Sequence, residues 1–215
     1  MESTRTRESE IAANISFWKR RGIKISKKVV TIAIMALPER EGMNFYLVIP
    51  KGITCQKLWK MIGKEMPTHQ TMENEAFKFY SVPRDSKDKT YAVATRPSQR
   101  SDYGSRYVLP LALESELTNY MTPSEYIVAA MRWYEETGTH LDEHSVTIFP
   151  RSRMSTGYMP EMDHCDHDEL CVTHEGVNYC SGRSSSTNVG PREVIAEGLP
   201  QTDPIPYQHE TPFHL

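Results

Sequence analysis

The sequence predicts an α+β protein: a single compact mixed domain followed by a largely irregular acidic tail. Three observations predict it. Short β-branched apolar runs alternate with helix-period segments over residues 1–150. Charge shifts sharply after residue 150: the first 150 residues carry 21 basic against 18 acidic side chains, a net of +3, and the remainder 4 against 10, a net of −6. Finally, 38% apolar content and a mean hydropathy of −0.56 fall below the globular norm, so part of the chain is expected to stay unpacked. The expected segments are 1–28, a helix and basic segment; 29–150, the α+β core; and 151–215, a mostly flexible acidic tail containing Cys and His.

The first helix is expected from about Thr4 to Arg21, with Ile11, Ile15 and Trp18 on one face and Gly22 as its stop. Val29–Met35 is apolar and β-branched and reads as a buried strand. Met43–Ile49 reads as a second strand, and Pro38–Gly42 between them as the turn of a hairpin. Thr54 can cap a helix carrying Leu58, Trp59, Met61 and Ile62 that ends near Gly63. Phe77–Val82 and Thr90–Thr95 read as two further strands joined by a polar turn. Tyr107–Leu113 is apolar, but Pro110 demotes it to an edge or irregular strand. Thr122-Pro123-Ser124-Glu125 is a capping box with proline at the first helical position, and its helix runs to Gly138. Ser145–Phe149 is expected to close the domain.

Hairpin, helix, strand is the order that resembles a β-grasp roll. The likeness is to a topology and names no family, because many α+β folds share that order.

Composition bears on class and compartment. No run approaches 18 apolar residues, which argues against a membrane-spanning helix. Met1-Glu2-Ser3-Thr4-Arg5 has no apolar h-region, so no secretory signal is expected, and the protein is expected to be intracellular, in cytoplasm or nucleus. The Asn14-Ile15-Ser16 sequon is then expected to be idle.

Two constellations carry chemistry. The segment 164–180 places Cys165, Cys171, Cys180, His164, His167 and His174 within 17 positions. Zinc takes four N/S donors, and Cys171-x2-His174 has a short ligand spacing. Cys165 and Cys180 could complete a Cys3His set, with His167 in reserve, so zinc is the one cofactor to expect. The acids Asp166, Asp168, Glu169 and Glu175 would bind harder cations weakly, and an unliganded acidic segment or redox-active cysteines are the competing readings. The second constellation is basic: Lys19, Arg20, Arg21, Lys24, Lys27 and Lys28 put six cations in ten residues, with Phe17 and Trp18 beside them to stack or insert. Nucleic-acid phosphates or an anionic membrane surface are the matching acceptors. Helix-end cations and a solvated edge explain the same residues without a ligand.

Catalytic signatures are weaker. The chain has no phosphate-binding glycine loop, nucleophile elbow or paired-histidine zinc helix. Cys55, next to the helix cap Thr54, could be an activated thiol with His69, His140 or His144 as base, and His140-x3-His144 could pair on a metal. These readings rank a non-enzymatic binding or assembly protein first, of adaptor or viral accessory type, whose partners are other proteins or copies of itself. Nucleic-acid binding through residues 19–28 comes second, and a small Cys- or zinc-dependent hydrolase third.

Overall fold

A computed structural model describes residues 5–70, 79–99, 119–142, 145–154, 160–165, 169–174 and 188–197. The protein is mixed α+β, and among the described residues antiparallel strand pairing dominates, with two parallel pairs. The helices are α1 (Arg7–Arg20), α2 (Lys27–Met35), α3 (Cys55–Ile62) and α4 (Pro123–Thr137). The strands are β1 (Phe45–Ile49), β2 (Thr68–Gln70), β3 (Phe79–Ser81), β4 (Tyr91–Thr95), β5 (Ser145–Ile148), β6 (Arg153–Met154), β7 (Pro160–Cys165), β8 (Glu169–His174), β9 (Asn188–Gly190) and β10 (Ile195–Ala196). They form a three-stranded sheet β1-β4-β10, a five-stranded sheet β2-β8-β7-β5-β9 and a two-stranded sheet β3-β6.

The segment expected as a first strand is a helix. Ser26 caps α2 by accepting from the Val29 amide at 3.2 Å. Val30 and Ile34, one turn apart, then bury completely against the three-stranded sheet. Tertiary packing overrides the β-branched propensity of Val-Val-Thr-Ile, which the pleat would otherwise favour. The expected hairpin is therefore absent, β1 pairs instead with β4, and the β-grasp order does not occur. Nor do β3 and β4 pair: β3 joins β6.

Strand β1 is buried on both faces, which explains its unbroken apolar run. Phe45, Leu47 and Ile49 enter the large core with α3 and α4, while Tyr46 and Val48 meet α2. Its outer edge is covered by side chains of α1. The Glu10 carboxylate accepts from the Tyr46 amide at 3.2 Å, and Asn14 accepts from the Val48 amide at 3.0 Å. Asn14 also donates to the Tyr46 carbonyl at 2.9 Å, and the Trp18 indole donates to the Val48 carbonyl at 2.8 Å. Positions 10, 14 and 18 sit one turn apart, so one helix stripe supplies the hydrogen bonds a neighbouring strand would have supplied. The sequon asparagine is thus fully buried.

The capping box expected at Thr122 forms, and a second, not foreseen, starts the first helix. Thr6 and Ser9 cap α1, while Thr122 and Glu125 cap α4. Glu125 does more than cap: it is wholly buried and takes both Nε and Nη2 of Arg84 at 2.9 Å. Gly138 ends α4 at φ 71°, the left-handed geometry expected of that residue.

Beyond residue 150 the chain rejoins the core. Strand β7 pairs with β5, β8 with β7, β9 with β5, and β10 with β4. Met162, Leu170, Val172, Val194 and Ala196 lie in the large core. Arg192 is buried with Asp142, donating from Nη2 to Oδ1 at 2.6 Å, and Asp142 also accepts from Ser145 and Thr147 hydroxyls at 2.5 Å each. Of the expected acidic tail, residues 155–159, 166–168, 175–187 and 198–215 lie outside the described residues, as does the 107–113 segment.

Candidate interaction surface on the second helix

Of the six cations at 19–28, the fold neutralises two. Arg21 lies over the Phe17 ring with its guanidinium carbon 3.6 Å from the centroid, bridges to Glu135 at 3.0 Å, and pairs with Glu65. Arg20 pairs with Glu135 and donates to the Ser16 hydroxyl. Phe17 and Trp18 are buried in the core, packed edge to face at 4.9 Å, so neither is available to stack on a base or enter a bilayer. Their helix period was visible in the sequence; their depth was not.

The other four, Lys19, Lys24, Lys27 and Lys28, are exposed, and no hydrogen bond or ion pair engages them among the described residues. Lys27 and Lys28 occupy the first turn of α2, which contains no acid. Cations there oppose the helix dipole, at a cost of about 0.3–1 kcal/mol each. Along the outer face of the same helix Val29, Ile32 and Met35 are 40, 58 and 51% exposed. They recur every three residues, so they form one stripe beside the lysines. Sequence reasoning missed this stripe because it assigned residues 29–35 to a strand; the spacing of Val30 and Ile34, with Ser26 before them, was the signal that could have revealed it.

The expected metal ligands divide between the faces of the β7–β8 hairpin. Cys165 stands opposite Glu169, Cys171 opposite Asp163 and His174 opposite Pro160. Cys165 and Cys171 share one face; His174 lies on the other and, five residues beyond Glu169, about 17 Å along the strand from Cys165. That separation exceeds what two ligands of one zinc can span, so these three do not close on a single ion. His167 and Cys180 lie outside the described residues. Cys171 is buried, its thiol donating toward the Glu169 carbonyl at 3.7 Å. Among the described residues no group of three or more His, Cys, Asp or Glu is poised to hold a metal.

The activated-thiol reading of Cys55 is overturned. Thr54 does cap α3, accepting from the Lys57 amide at 3.2 Å. But Cys55 is buried, and desolvation pushes its thiol up to about 12, outweighing a hydrogen bond with Ser124. A thiol held protonated at neutral pH is a poor nucleophile. His140 stacks on Tyr134 at 4.7 Å, and His144 lies outside the described residues. A cleft of about 180 Å³ between α1 and α4, lined by Ser16, Arg20, Arg132, Glu135 and Glu136, is smaller than usual ligand pockets.

No known family, curated protein or solved structure matches this chain. Among the described residues no helix is long and apolar enough to cross a membrane.

Proposed function

We propose that this chain is a non-enzymatic binding and assembly protein, acting inside the cell, and that the outer face of α2 docks a second copy of the chain. The observation that carries the reading is the exposed Val29–Ile32–Met35 stripe beside unpaired Lys24, Lys27 and Lys28. Residues 161–175 supply the complementary charge: Glu161, Asp163, Asp166, Asp168, Glu169 and Glu175, with no Lys or Arg among them. The β7–β8 hairpin of one copy against α2 of the next is a head-to-tail contact, which repeats rather than closing as a two-fold dimer.

Burying three half-exposed apolar side chains gains about 2–4 kcal/mol, since full burial of each is worth about 1.5–3. Even without the cost of association, that corresponds to millimolar affinity at best. A single contact is weak, and its usefulness comes from repetition and from salt-sensitive attraction. A second reading is supported by the unpaired lysines alone: an anionic surface of nucleic acid or lipid. The pairing of Arg20 and Arg21 and the burial of Phe17 and Trp18 count against it.

Sedimentation velocity over a range of concentrations, at about 50 and 500 mM salt, tests the reading. Oligomers that dissociate in salt and in Ile32→Glu are expected. Mixing Lys27→Glu/Lys28→Glu with Asp166→Lys/Asp168→Lys should restore an association that each variant alone lacks. A chain monomeric at every concentration at low salt would overturn it.

A further inference from the structure

A second charged surface lies on α3. From Pro50 to Lys64 the chain carries four lysines and no acid. All four, Lys51, Lys57, Lys60 and Lys64, are exposed, and among the described residues no hydrogen bond or ion pair engages their ammonium groups. The sequence of α3 sorts its lysines onto one side. Leu58 and Ile62 are fully buried and Cys55 and Trp59 nearly so, all in the large core. At about 100° per residue, Lys57, Lys60 and Lys64 fall within roughly 60° of arc on the opposite side. Gly63 keeps right-handed helical geometry at φ −63°, so the turn carries on to Lys64.

The fold offers these charges no compensation. Lys57 stands in the first turn of α3, where a cation opposes the helix dipole, and 57–60 and 60–64 set like charges one turn apart. The nearest acid in sequence, Glu65, is taken by Arg21. Mutually repelling cations kept without a counter-charge point to an anionic partner. Its kind follows from their surroundings. A helix that binds a bilayer carries bulky apolar residues beside its lysines, and protein interfaces are depleted of lysine around an apolar centre. On α3, Leu58, Trp59 and Ile62 face the core, and Met61 packs against it. Single-strand binding rests on aromatic rings free to stack, whereas Trp59 is only 8% exposed. The backbone of a duplex asks for cations alone. Lys57 to Lys64 covers about 10 Å of helix rise, about three nucleotide steps along one strand.

We propose that the outward face of α3, with Lys57, Lys60 and Lys64 at its centre and Lys51 before it, binds the phosphate backbone of double-stranded nucleic acid. Phosphate contacts fix position and carry no sequence information, so the binding does not depend on sequence. The α2 stripe lies elsewhere: α2 packs on Tyr46 and Val48, whereas α3 belongs to the core that holds Phe45, Leu47 and Ile49, on the other face of β1. The two surfaces share no residue, and either can fail without the other.

The test is fluorescence anisotropy of the full chain with labelled duplexes of DNA and RNA of about 20 base pairs, at about 50 and 200 mM salt. Three or four phosphate contacts predict that the wild type loses about 40–150-fold in affinity over that range, a measurement that needs no variant to fold. Lys57→Gln/Lys60→Gln/Lys64→Gln should bind at least about tenfold more weakly at low salt, with a flatter salt dependence and no lower melting temperature. Lys27→Gln/Lys28→Gln should stay within about twofold of wild type, and Ile32→Glu, which removes docking, should still bind. A duplex should be held more tightly than a single strand of the same length or vesicles of phosphatidylcholine and phosphatidylserine in equal parts. No duplex binding at low salt, affinity unmoved in the triple variant, an equal loss in the α2 pair, or a preference for the single strand or the vesicles would each overturn the assignment.

Discussion

Replacing Asn14 by alanine tests whether α1 truly closes the edge of β1. The Asn14 side chain donates to the Glu10 and Tyr46 carbonyls at 2.8 and 2.9 Å and accepts from the Val48 amide at 3.0 Å. Alanine leaves the Tyr46 carbonyl its bond from Arg132 and the Glu10 carbonyl its place in the helix, but strips the Val48 amide of its partner. An orphaned buried amide costs about 1–3 kcal/mol, and the vacated volume adds about 1, for a total of roughly 2–4 kcal/mol. At this chain length that lowers Tm by about 5–15 °C. Urea unfolding followed by tryptophan fluorescence measures it. Asn14→Asp keeps the acceptor but loses both donors and adds a charge beside Glu10, so it should cost at least as much. Ser16→Ala, exposed on the same helix, should stay within about 0.5 kcal/mol. An Asn14→Ala loss below about 1 kcal/mol would refute the view that α1 satisfies this edge.

Three further outcomes are expected. Arg192→Ala strands Asp142 in the interior without its cation and should cost about 3–5 kcal/mol by denaturant titration, whereas a surface pair such as Lys89–Glu197 should cost under 1. Cys55 should resist alkylation in the folded protein at pH 8 and react on unfolding; because its folded pKa of about 12 lies above the ordinary value of 9.0, the unfolded chain loses the proton first, and stability should fall as pH rises through that window. Lys27→Glu and Lys28→Glu should each stabilise the monomer by about 0.3–1 kcal/mol, read by thermal melts, while weakening association; destabilisation would mean the lysines serve the fold itself.

What the sequence revealed was local. Thr122 with Glu125, Thr54 before its helix, and the apolar runs that became β1, β4 and β5 announce themselves through caps and period. Residues 29–35 misled because the same apolar residues suit a strand or a buried helix, and only the sheet beneath them decides. Residues 160–174 and 188–196 misled for another reason. Their strands are short, mix charged with apolar positions, and take their stability from partners as distant as Val146 and Val93. For β10 no window of sequence contains both halves of the pair, since Ala196 meets Val93. Cys165 and Cys171 were visible in the sequence, but whether two strand positions share a face depends on register, which spacing along the chain does not specify. The α2 stripe stayed hidden behind the wrong element.

The closing of the first sheet by β10 has a consequence for how the protein is made. Strand β4 receives its second neighbour only from Ile195 and Ala196, about a hundred residues downstream, and Glu193 ties that strand back to Arg40 and Arg96. While the chain is being synthesised, β4 waits with an open apolar edge until residues 195–196 have emerged. Translation halted anywhere before residue 192 would release a product lacking both the last strand and the cation for Asp142. Such fragments are substrates for chaperones and proteases, not partly working proteins.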